Sequence, residues 1–181
     1  MARTLPERMI GAAMLDVSVY EEVEADTTAT SQAAIVVGIV AVAGAIGAYN
    51  GGVGPAIGAI ITAFLGWILW AVLTWVIGTK VFKGTADIGE MLRTLGFAQS
   101  PGVLLVLGII PVLGSIIAIV VGIWQIVTAV IAIRQALDFD TGKAILTAII
   151  SAIIIWVIMV FVVLAIVGTM FGVAAVAGAA G

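Results

Sequence analysis

Side chains that could do chemistry are few in this sequence, and fewer still are spaced for it. Cysteine is absent from the 181 residues and so is histidine. That removes thiol nucleophiles, disulfides, haem ligands and Cys/His zinc sites, along with the side chain that titrates near neutral pH. Ten carboxylates, seven Lys/Arg and two Tyr remain, plus hydroxyls. Asp138 and Asp140 stand two apart, as a metal pair or a general acid–base couple would. No other ligand lies near them, and Asp140-Thr141-Gly142-Lys143 before an apolar run has the pattern of a helix cap. We expect capping there, and no catalytic residue, metal site or cofactor in the chain. A net charge of −3, without a dense basic block, gives nucleic acid no electrostatic footprint.

The uncharged polar residues tell more. From Thr94 to Ile133 no residue is charged, yet Gln99, Ser100, Ser115, Gln125 and Thr128 fall inside that stretch, with Thr62, Thr74, Thr147 and Ser151 in other apolar runs. Proton relays and ion carriers normally place ionisable groups within the membrane, and here none is available. Gln99 and Gln125 can form a mildly polar path or simply hydrogen-bond between helices. Pro101 should kink its helix, with Gln99 and Ser100 satisfying the freed backbone groups, and Pro111 marks a break after Ile109-Ile110. Small residues recur four apart at Gly47/Gly51, Gly54/Gly58, Gly114/Ala118/Gly122 and Gly168/Gly172, a spacing that lets helix backbones approach closely.

The elements that must hold these residues follow from composition. Hydrophobic residues make up 64% of the chain and charged residues 9%, far from a soluble domain. A span uses about 20 apolar residues, so the total suits four to six spans; the apolar runs, with 94–133 split at Pro111, give an all-α polytopic bundle of five helices, at about 31–49, 55–78, 92–110, 112–133 and 144–168. Residues 1–30 form a cytoplasmic, acidic segment. Within it Met9, Ile10, Ala13, Met14, Val17 and Tyr20 recur at helical spacing, so a single short amphipathic helix is expected, lying on the membrane or against the bundle. The acidic run Glu21–Asp26 excludes a cleavable signal peptide, so the first span acts as an anchor. Trp75, near a span end, fits an interface anchor, while Trp67 and Trp70 fit packing. Asp87 or Thr85 should cap the helix that carries Glu90 and Arg93.

With five spans, Arg3, Arg8, Lys80, Lys83, Arg93, Arg134 and Lys143 all fall on one side. The positive-inside rule makes that side cytoplasmic, with the C-terminus outside. Lys80, Lys83, Arg93, Arg134 and Lys143 are then the candidates for a partner- or lipid-facing patch, and Gln99, Pro101, Pro111 and Gln125 the candidate intramembrane polar and hinge positions.

Order and motif together point to a family. The run Leu92-Arg93-Thr94-Leu95-Gly96-Phe97-Ala98-Gln99-Ser100-Pro101 resembles the signature of the Yip domain family, the Ypt/Rab-interacting integral membrane proteins. Ile110-Pro111-Val112-Leu113-Gly114, then Ile123-Trp124, then Arg134 through Lys143-Ala144-Ile145, follow in that family's order. Val19-Tyr20-Glu21-Glu22-Val23-Glu24-Ala25-Asp26 with Gln32-Ala33 is similar to bacterial members. The resemblance covers about residues 5–170 and implies a five-helix bundle with a cytoplasmic N-terminus. Eukaryotic relatives bind prenylated Rab GTPases and act in vesicle traffic. The N-terminal segment here lacks their long cytosolic domain, and its proportions resemble a prokaryotic member in an inner or plasma membrane.

The function expected is therefore a non-enzymatic membrane scaffold or adaptor, associating with lipid, with other membrane proteins or with itself. The alternative is a small, oligomeric transporter or channel passing Gln99 and Gln125.

Overall fold

Thr4 starts the first helix: its backbone N–H donates to the Glu7 carboxylate at 2.7 Å, and Pro6 occupies the first turn, where a missing N–H costs nothing. Helix α1 (Leu5–Ala13) ends where Leu15 takes a left-handed conformation, φ 65°. The Asp16 N–H then reaches back to the Gly11 carbonyl at 2.9 Å, and the Asp16 side chain accepts from the Ser18 N–H to start α2 (Val17–Ala25). The single amphipathic helix expected at the N-terminus is thus two, folded into a hairpin. The computed structural model describes residues 3–48, 53–110 and 112–179, and among these no strand occurs.

Next come α3 (Ala29–Gly47), α4 (Val53–Val76, continuing as a π-helical turn over Ile77–Val81), α5 (Ile88–Phe97), a 3₁₀ segment (Ser100–Ile109), α6 (Leu113–Ala136) and α7 (Thr141–Ala179). Helix α7 includes the Gly/Ala-rich tail as far as Ala179. Four helices are individually long and apolar enough to cross a membrane, and the α5–3₁₀ pair, bent by 41°, makes a fifth if counted as one span. At 1.5 and 2.0 Å rise per residue that pair covers about 35 Å, enough for a hydrocarbon core of about 30 Å.

The caps fall where expected. Asp87 accepts from the Glu90 N–H at 2.7 Å while Glu90 returns a bond to the Asp87 N–H, a reciprocal box. Asp140 accepts from the Lys143 N–H at 3.0 Å. Asp138, at φ 54°, closes α6, so the two aspartates end one helix and begin the next.

Ten residues is long for 3₁₀ geometry, and a period of three in the sequence explains it. Positions three apart stack in a straight row in such a helix. One row, Gly102–Leu105–Gly108, meets α3: a side chain at Gly102 would strike Val40, and Gly108 lies against the Gly47 backbone. The next row, Leu104–Leu107–Ile110, is exposed. Pro111 lies outside the described residues.

Burial divides the bundle in two. Among the described side chains the first buried on α4 is Trp67 and on α6 Val121, and the last buried on α7 is Ser151. The core therefore sits at the end that carries the hairpin, around Val23, Val36, Trp67, Met91, Phe97 and Ile133. At the far end α4, α6 and α7 present apolar residues outward, as with Ile61, Ile119 and Trp156.

Candidate functional site

Two polar constructions stand out: a dock for the hairpin and a cleft between α4 and α6. In the dock, Arg8 is 2% exposed although it lies on the face expected to be polar. Its guanidinium bonds Glu22 and Asp26, each at 2.8 Å, and the Gln32 side chain at 2.9 Å, so the planar fork ties α1 to α2 and to the start of α3. Burial opposes charge on Glu22, but hydrogen bonds from Arg8 and Arg3 outweigh it and hold the carboxyl below its ordinary range. Asp26 is held low by Thr28 and then by Arg8. Tyr20 is buried and donates to the Ala12 carbonyl at 3.0 Å.

Arg93 joins the hairpin to the bundle. Its Nε donates to the Val23 carbonyl at 3.0 Å and to the Glu24 carbonyl at 3.1 Å, and Nη2 also bonds the latter. A cation thus satisfies the last carbonyls of α2 at the negative end of its dipole. Arg93 is 5% exposed, so it does not belong to an outward-facing patch as expected from the sequence; α2 covers it. Beside it, burial pushes the Glu24 carboxyl up to about 7, helped by the Glu90 and Asp138 carboxylates and opposed by Arg93. The Trp124 indole N–H donates to the Ala13 carbonyl at 2.7 Å, fixing the end of α1 to α6. Neither arginine role shows in the sequence, because the Arg93 acceptors are backbone carbonyls about seventy residues away.

The other basic candidates remain accessible. Lys80, Lys83 and Lys143 are exposed and Arg134 is half-buried. Phe82 meets Phe139 edge-to-face at 6.3 Å, and Thr85 donates to Asp138 at 2.7 Å. These contacts bring the loop of Lys80 and Lys83 onto the loop of Lys143, whose ammonium lies 5.7 Å from the Phe139 ring. Trp75 also anchors, though to protein, since its N–H donates to the Ala86 carbonyl at 3.0 Å.

The cleft forms where α5 bends into the 3₁₀ segment. Side-chain donors meet three successive carbonyls at the bend: Ser100 Oγ bonds that of Phe97 at 2.6 Å, Thr128 Oγ1 that of Ala98 at 2.7 Å, and Gln125 Nε2 that of Gln99 at 3.2 Å, which also accepts from the Gly102 N–H at 2.8 Å. Ser100 acts as expected. Gln99 contributes its carbonyl as acceptor, whereas its side chain was expected to do the satisfying. The two glutamines do meet, and Pro101 is buried just beyond them. Trp67 packs as expected and donates to the Leu92 carbonyl at 3.0 Å. Around these residues lies a cavity of about 420 Å³, lined from α4 by Thr62, Gly66, Trp67 and Trp70, and from α6 by Gly122 and Gln125, with Gln99 beneath.

An apolar helical bundle in which the Arg93-bearing helix bends into a 3₁₀ segment and a basic loop precedes the last helix agrees with one family, and residues 9–164 match the Yip1 domain. The chain belongs to the Yip family. Neither a curated protein nor a solved structure matches it. This Yip protein is an integral membrane protein, with apolar helices long enough to span a bilayer.

Proposed function

We propose that this Yip protein is a non-enzymatic scaffold or adaptor of a prokaryotic plasma membrane, with its N-terminus and basic loops cytoplasmic and the bent α5–3₁₀ pair as one of five spans. One observation carries the reading. Past Ser151, none of the described α7 side chains is buried, and Ile153, Trp156, Phe161 and Leu164 point outward from different sides. A helix segment apolar all round and largely uncovered by its own chain suits association with other membrane helices, or with a second copy. Lys80, Lys83, Arg134 and Lys143 stand at the opposite end, placed to meet acidic partners or anionic lipid.

Purification in mild detergent, with mass spectrometry and light scattering on the eluted particle, tests this. We expect co-purifying membrane proteins or a homo-oligomer, and replacing three outward α7 residues by Ser should release them. A lone monomer in native-like nanodiscs, unaffected by those changes, would overturn the proposal. The cleft at Gln99 and Gln125 favours a second reading, a small transporter or channel. Flux across proteoliposomes that falls in Gln125→Leu would establish that reading instead.

A further inference from the structure

We infer that the cleft between α4 and α6 is a binding site for an uncharged glycerolipid of the diacylglycerol class, entered sideways from the bilayer. Its volume, about 420 Å³, lies within the range of small-molecule sites, and it has their character of apolar walls with a few converging polar groups. Those groups are not spent on the fold. Among the described residues, the Trp70 indole N–H, the Gln99 carboxamide, the Gln125 Oε1 and the Thr62 hydroxyl have no hydrogen-bond partner, although the other lining tryptophan, Trp67, has one.

Free donors and free acceptors therefore face the same space. A ligand that satisfies both must bring a donor for Gln125 Oε1 and an acceptor for the Trp70 N–H, as a hydroxyl and an ester carbonyl do. No ionisable side chain lines the cleft, so a phosphate or carboxylate would enter low-dielectric surroundings without a counter-charge. A neutral head with an ester and a hydroxyl meets these conditions, and its acyl chains would lie along the exposed Ile61, Leu65 and Ile126.

Glycines set the width of the cleft. At Gly47, Gly78, Gly96, Gly102 and Gly108 an added Cβ would run into neighbouring atoms, so packing requires them. At Gly66 and Gly122, on the two walls of the cleft, an added Cβ meets nothing within 4 Å. Gly54 and Gly58 on α4 are open in the same way away from the cleft; at Gly66 and Gly122 the missing side chains leave the cleft its width.

The test uses the full chain in phosphatidylcholine nanodiscs, with a diazirine-tailed diacylglycerol and the matching phosphatidic acid as photoprobes. Peptides carrying Trp70 and Ile126 should be labelled by diacylglycerol and protected by excess unlabelled diacylglycerol. Phosphatidic acid should label them about tenfold less, while both probes label α7 alike. Gly66→Leu/Gly122→Leu fills the cleft from its walls while keeping its polar groups and should abolish the competable labelling with the fold intact by circular dichroism. Gln125→Leu should reduce it about fivefold. Labelling no higher than on α7, equal labelling by phosphatidic acid, competable labelling that survives the double variant, or crosslinks from the cleft to a second copy would each overturn the inference.

Discussion

The hairpin end and the far end of this bundle are built from different forces. At the hairpin end, directional bonds decide the structure: Arg8 and Arg93 each collect acceptors from a neighbouring helix, and tryptophan N–H groups pin α5, α1 and the loop after α4. At the far end such bonds give way to backbone contact, with Gly47, Gly108 and Gly114 letting three elements touch. Elsewhere there apolar side chains face outward. The comparison teaches that the bundle is closed where water would penalise exposed apolar surface, and open where lipid makes exposure of leucine free.

The sharpest way to break this contrast is Arg93→Met. It leaves the end of α2 without its donor inside a buried joint, and we expect a loss of about 3 kcal/mol, read as fast hydrogen exchange across residues 5–25 while α4 and α7 stay protected. Uniform loosening of the whole bundle would show that the two ends are one cooperative unit. Next is Gly47→Val, which forces a side chain onto the Leu105 carbonyl. A cost of about 2 kcal/mol in denaturation by sodium dodecyl sulfate, with the hairpin still protected, would confirm the division from the other side. Thr128→Val removes the donor to the Ala98 carbonyl and should cost about 1 kcal/mol in the same assay.

Acidity sharpens the comparison further, because only the hairpin end titrates. Glu22 and Asp26 have lowered pKa values, so the stability they supply is present above the ordinary carboxylate range and is lost as pH falls through the lowered values. Glu24 is raised from 4.5 to about 7, so it stabilises docking while protonated, and that stability is lost as pH rises from about 4.5 to 7. Protection of α1 and α2 should therefore peak near pH 5. Glu24→Gln should flatten the decline toward pH 8 and leave the acid side unchanged; the unchanged profile in that variant would place the titration elsewhere. The smallest effect is expected for Gly122→Ala: with open space for the Cβ, it should stabilise α6 by no more than about 1 kcal/mol.

Local rules made much of this legible in the sequence. Span positions follow from apolar runs, and Asp87 and Asp140 cap helices because a cap bonds only three residues ahead. The Ser100-Pro101 break was legible for the same reason. The hairpin was not, since its turn uses Leu15 in a left-handed conformation that sequence readers reserve for glycine or asparagine. Arg93 read as an exposed cation because an arginine whose acceptors are main-chain carbonyls leaves no complementary residue to find. The cleft was visible only as two glutamines, since its volume belongs to glycines on helices 56 positions apart.

The 3₁₀ segment carries one last implication. Its straight row of Gly102, Leu105 and Gly108 keeps contact with α3 over the whole length only while the winding stays at three residues per turn. Rewound as an α-helix, the row would drift by about 60° every three residues, and the segment would shorten by about 5 Å. Gly108 would leave Gly47, and the far end would lose the contact that sets its register. The winding of ten residues thus acts as a gauge for the bundle, holding the turn before α6 at a fixed depth and azimuth, with no intermediate setting that keeps the glycines in touch.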